Sequence, residues 1–295
     1  MLDFKTVYEC NRCLGCKTLH PQVSIINLAD SRPEQDTIKF EFYAVLLIEE
    51  FPNNCCCCGR KYYDYSNATM VFLTPGEIFR MSENNTLPNK GYLLAFHPDL
   101  LFQTSLKNHI KNYTFFSYRK EEALHLSQRE TAQITCCFEN IEDELQHPID
   151  THSSTILSRY IELLLDYCTR YYERQFITRE NKNRTILEKM ESILNQYIES
   201  GELQNGLFPT PTFCAEELGL STAYFNDLLK FETGNTLQEY FQIKRLKAAK
   251  KMLLKGKDSP SFIAQQLGYP NVQYFSLIFK KIMGMSPTEY RYSHN

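Results

Sequence analysis

The first third of the chain alternates short apolar runs with turn-forming segments. The runs are rich in β-branched and aromatic residues and lie at residues 23–26, 40–48, 70–73 and 92–96. Proline, glycine and asparagine separate them at the intervals expected of strands in a small sandwich or barrel. The pattern therefore predicts an all-β domain over residues 1–120.

After this region the apolar residues recur at helical spacing. Residues 127–146 and 154–172 contain neither proline nor glycine, which predicts two amphipathic helices. The second helix carries a broad apolar stripe formed by Leu157, Ile161, Leu164, Leu165 and Cys168. The stripe packs either on the β-domain or against the same helix of a second subunit. Residues 176–184 are polar, so we expect a hinge there and assign 121–183 to a helical segment for packing or dimerisation.

The C-terminal region contains an internal repeat, in which residues 210–220 align with 259–269 and residues 225–240 with 275–290. Each copy begins with a hydroxyl residue before proline, at Thr210 and Ser259, and has a glycine at 219 or 268. The hydroxyl residue starts a helix and the glycine ends it tightly, after which a longer helix follows. The repeat therefore predicts two helix-turn-helix units.

A single connecting helix is predicted between the two copies, over residues 237–255. Its apolar face is formed by Tyr240, Ile243, Leu246, Ala249 and Leu253. At ~1.5 Å per residue such a helix spans roughly 28 Å, comparable to the ~34 Å turn of B-DNA. Two recognition helices on one chain then reach successive major grooves. A further helix at 185–200 begins this domain, which we assign to residues 184–295.

Charge is distributed unevenly along the chain. The net charge is −3, but residues 208–295 hold 11 lysines and arginines against 7 acidic residues, and residues 1–207 hold 21 against 28. The basic residues of the connecting helix and the segment after it are Lys244, Arg245, Lys247, Lys250, Lys251, Lys255 and Lys257. Such a cluster is what a phosphate-facing surface needs, although solvated helix faces are often equally basic.

Length and composition limit the class of protein. A chain of 295 residues is expected to form two domains, and its 43% hydrophobic and 23% charged residues exclude a disordered or coiled-coil chain. The sequence has no apolar run of membrane-spanning length, and its N-terminus lacks the features of a signal peptide. We therefore expect a cytoplasmic protein with no membrane partner.

Spaced residues throughout the C-terminal region resemble the AraC/XylS family of bacterial transcription regulators. The matching positions include Ala215, Leu218, Gly219, Ser221, Arg245, Leu246, Ala249, Gly268, Tyr269, Phe275, Phe279, Gly284, Pro287 and Tyr290. Residues 74–77 and 96–101 resemble the cupin-type sensing domain of many members. The resemblance implies an α+β two-domain chain. A cupin-like β-barrel followed by helices precedes an all-α domain, in which a linker helix joins two helix-turn-helix units.

The resemblance also implies which residues face DNA. In the first recognition helix they are Thr222, Ala223, Asn226, Asp227 and Lys230, and in the second Asn271, Val272, Gln273, Ser276, Leu277 and Lys280. Amides such as Asn226 and Gln273 suit adenine edges, and the lysines suit phosphates. The carboxylate of Asp227 suits the cytosine amino group and Val272 a thymine methyl. Relatives often have a basic residue near position 227, so Asp227 departs from the family pattern. The alternative for each of these residues is that it is an ordinary exposed helix residue without contact to DNA.

Cysteines and histidines offer other chemistry in the N-terminal region. Cys10, Cys13 and Cys16 have metal-ligand spacing, and in a barrel we expect the four consecutive cysteines at 55–58 to lie nearby, which suggests a thiol sensor of metal or oxidant. The alternative is that they are small buried residues, and consecutive strand residues alternate faces. His20 and His97 are isolated, whereas an enzymatic cupin needs a convergent metal set. We therefore predict no catalytic site and no cofactor.

These patterns together predict a sequence-specific regulator of transcription that binds double-stranded promoter DNA. Members of the family that this chain resembles are usually activators, so we expect activation with RNA polymerase as a partner. We also expect control through the N-terminal domain by a small-molecule effector. The sequence does not decide whether the chain forms a homodimer. The alternatives are a cupin-like enzyme and a protein-interaction module built from tandem helices. The interaction module predicts binding without the steep salt dependence that phosphate contacts impose.

Overall fold

The computed structural model describes residues 2–30, 37–50, 58–80, 90–102 and 104–293. The chain divides into two compact units, Met1–Glu180 and Asn181–Asn295. The second unit begins close to the predicted residue 184. Among the described residues, none of the helices has the length and apolar character needed to cross a membrane.

The described strands of the first unit form two sheets. The strands are β1 (Leu2–Phe4), β2 (Val23–Asn27), β3 (Thr37–Phe40), β4 (Tyr43–Glu50), β5 (Ala68–Leu73), β6 (Glu77–Arg80), β7 (Lys90–Phe96) and β8 (Leu124–Leu126). One sheet has the order β1-β3-β6, and the other has the order β2-β7-β4-β5-β8. Among the pairings of these described strands, only that of β1 with β3 is parallel. The four predicted apolar runs overlap β2, β4, β5 and β7, which are neighbours in the larger sheet.

The predicted cupin-like barrel is not confirmed. No hydrogen-bonded pairing joins the two sheets within the described ranges, so the strands do not close into a cylinder. The sheets instead share one core, to which Ile38 and Phe40 contribute from β3 and Ala44 and Leu46 from β4. The intervening Val45 is also fully buried, on the opposite face of β4. Burial on both faces explains why this strand reads as a continuous apolar run.

The α-helices in the described part of the first unit are α1 (Val7–Cys13), α2 (Leu106–His109), α3 (Gln128–Gln146) and α4 (Ser153–Thr178). Helix α3 starts with a reciprocal capping box between Ser127 and Glu130. It packs on α4, whose whole predicted stripe is buried. The Cys168 thiol on that stripe lies 3.6 Å from the Met70 sulfur of β5. The stripe thus packs on the sheet of its own chain, not on a second subunit.

The predicted hinge at 176–184 is helical except at Arg179. Helix α4 ends at Thr178, and α5 (Glu180–Ser200) begins one residue after Arg179. The Arg179 side chain is 1% exposed, and its guanidinium donates hydrogen bonds of 2.8 and 2.7 Å to the Asp64 carboxylate. The polar stretch at 176–184 therefore contributes one member, Arg179, to a buried ion pair.

The described part of the second unit is all-helical and confirms both copies of the repeat. After α5 it contains α6 (Pro211–Glu217), α7 (Thr222–Thr233), α8 (Leu237–Leu254), α9 (Pro260–Gln266), α10 (Val272–Met283) and α11 (Pro287–Ser293). The side chains of Thr210, Ser221, Ser259 and Asn271 each accept a hydrogen bond from the backbone amide three residues on. These caps start α6, α7, α9 and α10 where the sequence predicts.

The apolar face predicted for the linker helix is partly wrong. Leu246, Ala249 and Leu253 are buried in the core of the second copy, as predicted. Ile243 is 39% exposed, whereas Leu237 and Phe241 are buried instead. The face rotates along α8 because the start of the helix contacts α7 and its second half packs on the second copy. No single stripe therefore runs along the helix.

Candidate nucleic-acid interface

The two recognition helices, α7 and α10, each bury one face and expose the other. Phe225 and Leu229 lie in the interior of the first copy, and Phe275 and Phe279 in that of the second. These aromatic and aliphatic anchors turn the remaining faces outward. The exposed predicted residues are Asn226, Lys230, Asn271, Gln273, Leu277 and Lys280, and the partly exposed ones are Thr222, Ala223, Asp227, Val272 and Ser276. All the predicted side chains are therefore accessible, and their contact with DNA stays a prediction.

The two copies present different chemistry at equivalent positions. Asp227 in α7 aligns with Leu277 in α10, which is 63% exposed. Ala223 likewise aligns with Gln273, whereas Lys230 aligns with Lys280. The copies therefore share a positive charge near the end of the recognition helix and differ at the positions suited to base edges.

Asn271 has a structural role in addition to its exposed position. Its side-chain oxygen accepts a hydrogen bond of 2.7 Å from the backbone amide of Tyr274 and so caps α10. Because the oxygen is engaged, the side-chain N–H groups are what this residue offers to a base or phosphate.

A groove of about 1280 Å³ lies between the two helix-turn-helix copies. Residues of α7 line it on the side of the first copy and the start of α10 on the side of the second, and the first half of α8 forms the floor. Residues 203–211 and α9 also line the groove. The lining residues from α7, α8, α10 and the caps of α8 and α10 are Asn226, Asp227, Lys230, Thr236, Leu237, Gln238, Phe241, Gln242, Arg245, Asn271, Val272 and Tyr274. The structure thus brings five predicted residues around one concave surface: Asn226, Asp227, Lys230, Asn271 and Val272. The other six predicted residues do not line it.

Arg245 lies in the floor of this groove and is 8% exposed. Its Nε donates to the carbonyl oxygen of Leu267 at 2.8 Å, and its Nη1 donates to Oε1 of Gln242 at 3.2 Å. The guanidinium lies 4.0 Å from the ring centroid of Tyr269 and 5.2 Å from that of Phe208. Burial lowers the pKa of Arg245, which the phenol of Tyr269 partly opposes.

The predicted basic cluster is therefore not a uniform phosphate-facing surface. Arg245 is buried, and Lys244 pairs with Glu191 at 2.6 Å. Lys247, Lys251, Lys255 and Lys257 are exposed. Sequence reasoning missed Gln238 and Gln242 as groove residues. The signal that identifies the floor is the spacing of Leu237, Phe241 and Arg245 by four residues, which places them on one helical face.

Among the described residues, the candidate thiol and histidine ligands of the first unit do not form a convergent set. Cys10 is buried on α1, and burial followed by the nearby Cys13 and Cys16 raises its pKa, which disfavours a reactive thiolate. No metal-ligating group of three or more occurs in the part of the chain that the structure describes, and residues 55–57 of the second cysteine cluster lie outside it. His20 and His97 each accept a local backbone hydrogen bond, from Gln22 and Asp99.

Comparison with known proteins places the repeat in a family. Residues 214–293 match the family described as "Helix-turn-helix domain". Over 226 residues the chain is 24% identical to the HTH-type transcriptional activator RhaR of Mannheimia succiniciproducens, covering 77% of this chain and 76% of that protein. Over 76 residues it is 33% identical to the xylose operon regulatory protein of Escherichia coli K12, covering 26% of this chain and 19% of that protein.

Among solved structures, the C-terminal domain of the two-component response regulator yesN from Fusobacterium nucleatum is similar in sequence to part of this chain. It is 32% identical, and the match covers 34% of this chain and 96% of that one, with a TM-score of 0.29. The family match at residues 214–293 coincides with the two copies and the linker helix. The second unit of the chain therefore contains an AraC-type helix-turn-helix domain, similar to those of the transcription regulators named above.

Proposed function

We propose that this chain is a sequence-specific regulator that binds promoter DNA with both recognition helices at once. The observation that carries the proposal is the pair of equivalent helices, α7 and α10, held in one unit by the continuous helix α8. At ~1.5 Å per residue, its 18 residues extend over about 27 Å. That length is of the order of one turn of B-DNA, roughly 34 Å, which suits entry into successive major grooves.

Each copy is proposed to read its own half-site. Asn226 and Asp227 suit adenine and cytosine in the first half-site. Gln273 suits adenine in the second, and the exposed Leu277 suits a thymine methyl group. Lys230 and Lys280 are proposed to hold phosphates at equivalent places. Because the base-reading positions differ, we expect two unlike half-sites.

Control by the first unit extends the same proposal. We propose that a small-molecule effector acts on this unit in the cytoplasm, that the chain itself is not an enzyme, and that the bound chain acts with RNA polymerase. Activation is supported by the name of the relative RhaR, an HTH-type transcriptional activator. A promoter fusion in cells with and without the gene tests the direction, since loss of the gene lowers transcription if the chain activates.

The experiment that tests DNA binding is selection from a library of random duplexes with the full chain, repeated over a salt series. We expect enrichment of a site with two half-sites about one helical turn apart. The affinity should fall steeply with salt because phosphate contacts release counterions. Enrichment of no sequence, together with no salt-dependent binding, contradicts the proposal and favours the protein-interaction module.

A further inference from the structure

Arg245 is a buried cation without a carboxylate partner among the described residues. Three of its groups have contacts: Nε and Nη1 donate hydrogen bonds, and the guanidinium plane lies over two rings. The remaining nitrogen, Nη2, is buried and has no hydrogen-bond acceptor in the described part of the chain. A buried charge without a counter-charge is costly, so this arrangement is incomplete as a purely structural contact.

The place of Arg245 indicates what completes it. The residue lies in the floor of the groove, with recognition-helix residues on both walls. When two recognition helices of one unit enter successive major grooves, the DNA backbone between them passes over the surface that joins the helices. That backbone carries about one negative charge per ~1.7 Å of duplex.

The remaining polar residues of the floor can donate hydrogen bonds to an anion. The amides of Gln238 and Gln242 line the groove. Lys230 adds a positive charge on the α7 wall, which offsets the neighbouring carboxylate of Asp227. Gln242 also contacts the guanidinium directly and donates from Nε2 to the Tyr269 hydroxyl at 3.3 Å.

We propose that Arg245, with Gln242 beside it, forms a phosphate site that receives the DNA backbone between the two half-sites. The inference rests on the proposed function and adds a contact outside the recognition helices. It assigns a central, sequence-independent contact to a residue that is buried in the free protein. A phosphate bound there replaces the absent counter-charge with a charge-assisted hydrogen bond.

The test neutralises one phosphate at a time, using methylphosphonate linkages placed along the selected duplex. For the unaltered chain we expect a central linkage, between the half-sites, to weaken binding about tenfold or more, as loss of a charged hydrogen bond does. Gln242→Glu places an internal carboxylate against the Arg245 guanidinium, in the position of the present amide oxygen. In that variant the central linkage should have no further effect.

Gln238→Glu is the matched control. It adds the same charge to the floor of the same groove without replacing the amide that contacts Arg245. We expect it to lower the affinity for every duplex while keeping the sensitivity to the central linkage. Arg245→Met tests the cation itself, and Gln242→Glu keeps the test valid if that variant does not fold.

Three results would overturn the inference. If only linkages under the recognition helices weaken binding, the central site is absent although the regulator function stands. If neither the native nor the altered duplex is bound, the proposed function fails as well. If inorganic phosphate raises the melting temperature above that in chloride of equal ionic strength, and the central linkage has no effect, the site takes a free anion and not DNA.

Discussion

At the scale of single residues, two glycines at equivalent positions have different surroundings. Gly219 and Gly268 each follow the first helix of a copy and have φ of +68° and +67°. A Cβ atom on Gly219 would meet nothing within 4 Å, whereas one on Gly268 would lie 2.4 Å from the carbonyl oxygen of Leu203. The second copy therefore needs glycine for space as well as for conformation.

We predict that Gly219→Ala lowers the free energy of unfolding by about 1 kcal/mol, the cost of a left-handed alanine. Gly268→Ala should lower it by about 3 kcal/mol or more, because the backbone of Leu203 must also move. Urea unfolding followed by circular dichroism of the helices measures both. Equal losses would show that the approach of Leu203 to Gly268 is not maintained in solution.

Two side chains of α10 separate base reading from phosphate binding. Gln273→Ala should lower affinity for the selected site by about 1–3 kcal/mol and relax the preference at one base pair. Lys280→Ala should weaken all duplexes alike and reduce the salt slope by about 1. Binding to the selected site and to its single-base variants over a salt series measures both. The assignment fails if the two substitutions affect every sequence equally.

His125 gives the first unit a pH-dependent stability. Its ring is fully buried, with Nδ1 3.0 Å from the Thr69 hydroxyl, and burial lowers its pKa to about 4 despite the nearby Asp64. An unfolded histidine has a pKa near 6.5, so between these values the unfolded state binds more protons. The contribution is complete above pH ~6.5 and is lost as the pH falls towards ~4, by about 3 kcal/mol in total.

The measurement is urea unfolding from pH 7.5 down to pH 4.5, for the native chain and for His125→Asn. Asparagine keeps a polar atom near Thr69 and does not titrate. The native chain should lose up to about 1.4 kcal/mol per pH unit more than the variant. Parallel pH profiles would show that His125 is not held neutral.

At the scale of elements, the repeat was predictable and the linker face was not. The ends of α6, α7, α9 and α10 depend on caps and glycines that act within a few residues, so the sequence alone locates them. The buried face of α8 depends on two cores at once, which a search for one periodic stripe does not detect. The accessible faces of α7 and α10 followed from the repeat, but the burial of Arg245 required tertiary packing.

The prediction of a hinge between α4 and α5 was wrong for a related reason. A polar stretch usually indicates a solvated loop, yet Arg179 is buried against Asp64, a residue far away in the sequence. Burial alone would raise the pKa of Asp64, but the hydrogen bonds and charge of Arg179 outweigh it and lower the pKa. Single-sequence reasoning has no signal for such a partner.

We predict that Asp64→Asn lowers the free energy of unfolding by about 3–5 kcal/mol, because a buried guanidinium loses its counter-charge. The matched control is Glu49→Gln, which breaks the surface pair with Lys90 at 2.9 Å. That change should cost less than about 1 kcal/mol. Urea unfolding at neutral pH compares them. Similar losses would mean that the Asp64 pair is not buried in solution.

At the scale of the whole molecule, the charge of the chain is divided between its units. Residues 1–180 hold 18 basic against 24 acidic residues, and residues 181–295 hold 14 against 11. The unit with the recognition helices is thus positive in a chain that is negative overall. The overall charge conceals this division, which is why composition alone argues against a DNA-binding protein.

The continuity of α8 leads to a prediction about spacing. Inserting about 5 base pairs between the half-sites rotates one of them by half a turn, which should reduce binding to that of a single half-site. Inserting about 10 base pairs returns both half-sites to the same side of the duplex, but the distance between them is then longer than α8 allows, so binding should stay weak. Gel-shift titrations with the three duplexes measure this. Recovery at the longer insertion would indicate that two chains share the site.

The two helix-turn-helix copies differ at the positions proposed to contact bases, and this difference affects the orientation of the bound chain. Two identical units that are related by a two-fold axis bind a palindrome and lie on it equally well in both directions. This chain carries Asp227 and Ala223 in one copy and Leu277 and Gln273 in the other, so we expect its DNA site to be asymmetric, with two different half-sites in a fixed order. The order of the half-sites along the promoter then sets which way the bound chain points, and inverting the site turns the protein around without changing its affinity.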